Sequence, residues 1–420
     1  MAGYGARSGP ARGVHDDLFG RCLVLEDASW AAALVEADVL QLPKTFTDHV
    51  RLQVARRTGI PREHVLVCAT HTHSGPDMEG RYTPGGQDRS LAEVWQRALA
   101  GCAEAAWRAR QDAAVGIGVG SVQGIGVNRR TQDGQPVDPM VGVISARGQA
   151  GVLLGVLFNY TCHPVVLGGD NLLFSADYPG YAIRAIEAIE GPHTIAMFTN
   201  GAEGDVNTGH SADLSGIGAP IPERTFERAQ RLGRRLAGEV LKVLSGTPTP
   251  LTGPVRAIVQ EVTLPFRHVA SVERAEAALA AAEREVRQLM AAGADPEATT
   301  SARIRRFHAE VDLMVATQRA GETESGLVAE LQAIRVGDLA LVAIPGELFV
   351  ELGLAIKAGS PFDYTLMLGL ANGSVGYLPT REACQAGGYE AVATRFAPGT
   401  GELVRDTCLE ILHTLKEATP

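Results

Sequence analysis

The sequence predicts an α/β protein with mixed sheets and helical outer layers. Three observations carry this. Short aliphatic runs recur along the chain and end in polar clusters. Stretches with apolar residues at helical spacing alternate with them. No Pro/Ser-rich linker, low-complexity tail or internal repeat divides the 420 residues, so residues 1–420 are expected to form one catalytic unit.

RCLVLED and AAALVEADVL read as strands, and HVLVCAT as a buried strand ending at a polar cluster. SLAEVWQRALAGCAEAAWRARQ follows as an amphipathic helix. AAVGIGVGSVQGIGVN reads as a glycine-rich strand pair, and VGVISARGQAGVLLGVLFNYTCHP as a hairpin turning at RGQAG. SADYPGYAIRAIEAIEG opens with a Ser/Asp cap signal and continues as a helix. TIAMFTN is a short strand, and TFERAQRLGRRLAGEVLKVLSG a helix closed by glycine. From Ser271 to about Ala320 the composition turns Ala/Glu/Arg-rich and helical, and GADP breaks it near the middle. That segment reads as a helical-hairpin insertion, about 271–320: a solvated surface feature, or a lid or dimer arm. Beyond it come a strand–VGD turn–strand unit, the helix FVELGLAIKAG, the buried strand YTLMLGLANG and a closing helix, ELVRDTCLEILHTLKE.

Hydrophobic residues make up 45% and charged residues 20%, ordinary for a soluble globular chain. The net charge of −10 argues against nucleic acid or an anionic membrane as the main partner. No apolar run reaches the roughly 18 residues a transmembrane helix needs. The N-terminus lacks the apolar core of a signal peptide, so a cytoplasmic location is expected. Cys22, Cys68, Cys102, Cys162, Cys384 and Cys408 form no C-x-x-C pair and are too sparse for a disulfide framework. They read as buried free thiols. Nothing fixes the oligomeric state, and a homo-oligomer is compatible with the sequence.

The chemistry-bearing residues cluster at strand ends, where α/β folds bind ligands. HVLVCATHTHSGPD delivers His71 and His73, which share a face of an extended backbone and suit a metal. His163 ends a second buried run, in NYTCHP. Glu347 follows a third, after a Pro-Gly turn at the start of a helix, where either the helix dipole or a metal accounts for a carboxylate. Tyr377 and Tyr389 lie in a loop after a fourth. Arg129, in GVNRR, suits an oxyanion or a substrate carboxylate. GIGVGS, Gly116 to Ser121, is an incomplete dinucleotide fingerprint with no helix behind it. NGAEGDVNTGH, Asn200 to His210, lacks a P-loop lysine. It reads as an active-site loop, with Asp205 expected to orient a metal-bound histidine.

Taken together, the blocks GYGARSGPARGVHDD, ATHTHSGPD, GVNRR, NYTCHP with SADYPGYA, NGAEGDVN, IPGE and GYLPTREACQAGGYE resemble the catalytic domain of the neutral/alkaline, non-lysosomal ceramidases. The resemblance implies a layered α/β/β/α fold. It implies one Zn2+ per chain on His71, His163, Glu347 and Tyr377. It places His73 beside the metal-activated water, and Arg129 and Tyr389 at the substrate carbonyl. It implies hydrolysis of the N-acyl amide of a lipid-like or smaller substrate. Three features depart from the family pattern. Asn207 replaces a serine, Arg381 to Ala386 replaces an E-E-Y-x-x-Q pattern, and the C-terminal immunoglobulin-like domain is absent. The family also carries a strand ending in an Asp-Ile-Thr-Pro-like segment before GYGARSG, so an upstream strand or signal peptide stays open. Other readings also stay open: a zinc esterase, lactonase or deacetylase, an iron site of two histidines and a carboxylate, and a non-catalytic binding protein.

Overall fold

The computed structural model describes residues 1–83 and 86–417. Its centre is two packed β layers. One is a five-stranded sheet in the order Ile195–Asn200, Leu153–Tyr160, Met140–Arg147, Ala114–Ser121, Thr249–Pro250. The other joins a three-stranded sheet (Gly20–Glu26, Ala31–Ala37, Val65–Ala69) to a four-stranded one (Val255–Pro265, Gly326–Val336, Leu339–Ala343, Tyr364–Leu368). The join is a bridge between Cys68 and Ala371. Parallel and antiparallel pairs mix in all three sheets or their junctions: Ala31–Ala37 with Val65–Ala69 and Leu339–Ala343 with Tyr364–Leu368 run parallel.

The buried strands read as continuous apolar runs because both faces are covered. Val65, Val67 and Ala69 face the helices Lys44–Thr58 and Arg89–Arg108. Leu66 and Cys68 face the opposite layer, against Ile144, Leu157 and Met197, in a core they share with Leu341 and Leu366 of their own layer. Asp177–Glu190 and Phe226–Leu244 cover the outer face of the five-stranded sheet. Val350–Gly359 and Thr400–Glu417 cover the four-stranded one. The architecture is therefore α/β/β/α.

Val272–Ala291 and Pro296–Ala320 form the antiparallel hairpin. Ser271 caps the first helix. Asp295 caps the second, with Pro296 at its first position, and Gly293 turns between them at φ 62°. Such caps are each worth about 1 kcal/mol.

Three local expectations need correction. The glycine-rich segments Ala114–Ser121 and Val127–Asn128 do not pair with each other. The first pairs with Met140–Arg147 and the second with Val206–Asn207, because the second is needed beside the site rather than in the large sheet. Asp177 does not cap its helix. It adopts φ 55° inside the first turn, and its carboxylate accepts from Leu167 N–H at 3.0 Å, tying down the segment after His163. Glu347 does not begin a helix either. It lies in a two-residue parallel pairing, Glu347–Leu348 with Tyr377–Leu378, before the helix starts at Val350.

Candidate metal centre

His71 follows strand Val65–Ala69 with a left-handed backbone, φ 74°. That conformation costs a residue with a Cβ about 1–2 kcal/mol. Two bonds hold it there: His71 N–H donates to Val39 O at 3.0 Å, and Nδ1 lies 2.8 Å from Leu40 O. His163 Nδ1 lies 2.8 Å from Glu203 O and 3.0 Å from Val206 O. His73 Nδ1 lies 3.1 Å from Gly3 O. A carbonyl oxygen only accepts, so each Nδ1 carries the proton and each Nε2 keeps its lone pair. One nitrogen from each of the three rings falls within 4.8 Å of the others. Nε2 of both His71 and His73 is buried with no hydrogen-bond partner among the described residues.

Glu347 enters the same space. Its Oε2 is 3.0 Å from His163 Nε2 and 3.4 Å from His71 Nε2. Burial raises the Glu347 carboxyl, but His71 and then His163 outweigh it and hold it well below the usual range. Burial also pushes His71 down, yet Glu347 outweighs that and leaves it raised. Burial, followed by Arg129, pushes His163 down to about 4. Burial and the two neighbouring imidazoles hold His73 well below its ordinary value. Lone-pair nitrogens aimed at a carboxylate oxygen repel it unless a positive charge lies between. Zinc bonds of 2.0–2.1 Å set tetrahedral neighbours about 3.3 Å apart. The observed 3.0 and 3.4 Å separations bracket that spacing, so these donors fit a divalent ion.

The register of Glu347 with Tyr377 places the phenol beside the carboxylate. The Tyr377 ring is 6.5 Å from that of His163, and its hydroxyl accepts from Arg129 Nη2 at 3.2 Å. Arg129 also donates to Gly204 O at 3.0 Å and, through Nε, to Glu390 at 2.7 Å. Glu390, 2% exposed, takes Arg130 as well at 2.6 Å. Tyr389 stands edge-on to Tyr377 at 5.6 Å and stacks on Phe307 of the hairpin at 5.5 Å. The structure thus gathers His71, His73, His163, Glu347, Tyr377, Arg129 and Tyr389 into one place.

Asp205 is a correction. It does not reach a histidine: its carboxylate accepts from Asn128 Nδ2 at 2.8 Å and Val350 N–H at 2.8 Å, bracing the loop instead. The histidines are aimed by main-chain carbonyls. Sequence reading also missed Glu390, although it directly follows Tyr389 in GGYE, and Phe307. It missed Glu203 too, whose carboxyl is fully buried, without a hydrogen-bond partner among the described residues, and pushed up to about 8 by burial. A groove of about 830 Å³ near Cys22, Arg110 and Ile195 shares no residue with this centre.

Fold and donors together define a layered α/β/β/α protein with a buried centre of three imidazoles and a carboxylate. The family model for neutral/alkaline non-lysosomal ceramidases, N-terminal, matches residues 1–298. The chain belongs to that family. It is 25% identical over 492 residues to a neutral ceramidase of Mycobacterium tuberculosis, covering 100% of this chain and 75% of the relative. It is 24% identical over 495 residues to one of Drosophila melanogaster, covering 96% and 70%. The crystal structure of neutral ceramidase from Pseudomonas aeruginosa superposes with TM-score 0.76 at 19% identity, over 100% of this chain and 72% of that one. No helix among the described residues is long and apolar enough to cross a membrane.

Proposed function

We propose that this chain is a zinc-dependent hydrolase of an N-acyl amide bond. The observation that carries the reading is the aim of the imidazoles: carbonyls at each Nδ1 leave each Nε2 free, and those of His71 and His163 lie 3.4 and 3.0 Å from Glu347 Oε2. His71, His163, Glu347 and Tyr377 would hold the ion. When bound, zinc supplies Lewis acidity, acidifying water and polarising an acyl carbonyl.

The chain's own residues do the rest. His73 is neutral in this setting, so its Nε2 can take a proton and pass it to the leaving amine. Arg129 is committed to Glu390, Gly204 and Tyr377, which makes it a fixed positive charge beside the reacting carbonyl. Tyr389 offers a hydroxyl from a ring clamped between Tyr377 and Phe307. The test is His163→Ala, expected to lose both metal and amide hydrolysis. Retention of stoichiometric zinc by that variant refutes the ligand set.

A second reading makes His73 a ligand, because its nitrogen lies within 4.8 Å of those of His71 and His163. His73→Ala separates the two. Zinc kept with a reduced kcat supports the proton carrier, and zinc lost supports the ligand.

A further inference from the structure

Beside the imidazole cluster lies a second set of polar groups that the hydrolytic chemistry does not use. The Tyr4 ring packs 5.0 Å from that of His73. The guanidinium carbons of Arg7 and Arg224 each lie 5.5 Å from the Tyr4 ring centre. Neither cation has a carboxylate partner among the described residues. Arg7 donates to Asn171 O, to Ala2 O at 3.3 Å and to His73 O at 2.8 Å. Arg224 donates to Ser215 Oγ at 2.5 Å. These contacts supply no negative charge, and both Nε atoms are buried without a partner among the described residues.

His210 adds a third group, beside Arg224 and Arg228: burial, then those two cations, push it down to about 3, so it is a neutral imidazole. It is 3% exposed, and its Nε2 is likewise unpartnered. Asn207 fixes its backbone on both sides: Asn207 Nδ2 donates to His210 O at 2.8 Å, and His210 N–H donates to Asn207 Oδ1 at 3.1 Å. The nearby carboxylates are spoken for or solvated. Glu223 faces Arg228 at 3.7 Å, and Asp170, exposed, lies near Arg7 and Arg224 without forming an ion pair with either among the described residues. The arginines are half-buried, but their Nε atoms and His210 Nε2 are buried and unpartnered among the described residues, which is costly, and an anion that enters satisfies them.

We propose that Arg224 and His210, with Arg7 across the Tyr4 ring, form an anion subsite flanking the metal centre. On the hydrolase reading above, the substrate is then an N-acyl amine that carries a carboxylate. Two guanidiniums and a neutral imidazole suit a carboxylate, which accepts from several donors at once.

The test uses the zinc-loaded full chain and two ketone analogues that resist hydrolysis, 4-oxoundecanoate and 4-oxoundecanamide. Calorimetry is expected to show the carboxylate binding about tenfold or more tighter, a single good charged contact's worth. Arg224→Gln is expected to collapse that ratio toward one. Equal affinities in the wild type overturn the proposal, as does a variant that weakens both ligands alike. Zinc itself prefers a carboxylate to an amide, so the variant carries the assignment, and His210→Gln is the second variant should Arg224→Gln misfold. Preferential binding of the keto acid without any turnover of N-octanoylglycine sinks the hydrolase reading and leaves the subsite standing. Turnover of a neutral N-acyl amide with no preference for the keto acid does the reverse.

Discussion

Replacing Glu390 with glutamine keeps the shape of the side chain and removes the charge that Arg129 and Arg130 both donate to, at 2.7 and 2.6 Å. Arg129 is then left as a buried cation held only by a carbonyl and a phenol. Breaking a buried pair from one side costs about 3–5 kcal/mol. Unfolding entropy of about 2.1 cal/mol/K per residue, over 420 residues, gives about 0.9 kcal/mol/K. The expected fall in Tm is therefore about 3–6 °C, read by calorimetry on chelator-treated protein. Glu390 directly follows Tyr389 on the short helix Tyr389–Ala393, so kcat on an amide substrate falls as well. Glu390→Asp keeps the charge and is expected to recover part of both losses. A glutamine variant that melts within about 1 °C of the wild type, far below the range expected for a broken buried pair, would show that the two arginines do not depend on this carboxylate.

A methyl group on Gly204 would sit 2.5 Å from Glu347 O and 2.9 Å from Leu348 O, both rigid main-chain atoms. Gly204→Ala is expected to cost about 1–3 kcal/mol and to weaken zinc affinity in a competition titration. Gly238→Ala, on an exposed helical position with nothing within 4 Å, is the control and is expected to gain about 0.5–1 kcal/mol. Phe307→Ala removes the ring stacked on Tyr389. An aromatic pair of this kind is worth about 0.5–1.5 kcal/mol, so kcat is expected to drop several-fold while metal content, measured by emission spectrometry, stays at one per chain. His308 bonds Asp213 at 2.6 Å, and that bond outweighs burial, which lowers the pKa, and with the charges of Asp213, Asp312 and Glu390 leaves it raised. The stabilisation is fully present below the unfolded value near 6.5 and is lost as pH rises through the higher folded value. Amide protection across residues 296–320, taken relative to the intrinsic exchange rate at each pH, is expected to fall over that range, and His308→Gln to remove the fall; protection that stays constant in the wild type would show that this pair does not hold the hairpin.

The layering was legible because strands such as HVLVCAT and LALVA are apolar on both faces, and only a strand between two cores needs that. The gathering of His71, His163 and Glu347 was legible for a related reason: each follows such a strand, and strand ends converge. Partner choice was not legible. Whether Val127–Asn128 joins Ala114–Ser121 or Val206–Asn207 depends on where the loop after Asn200 comes to lie, which periodicity does not encode. The aim of the imidazoles was invisible too, because carbonyl oxygens belong to every residue alike. Asp205 drew notice for its side chain, whereas main-chain oxygens one shell over, at Glu203 and Val206, hold His163.

Those main-chain anchors carry a consequence for how such a protein can change. The oxygens at Leu40, Glu203 and Val206 stay in place through side-chain changes that keep the local path of the backbone, whereas Gly3 is fixed, because a Cβ there would lie 2.6 Å from the His73 ring. Mutations that alter the surrounding walls therefore need not detune the donors. Reactivity and selectivity are built from separate parts of the polypeptide, and a descendant can trade one substrate for another without rebuilding its catalytic heart.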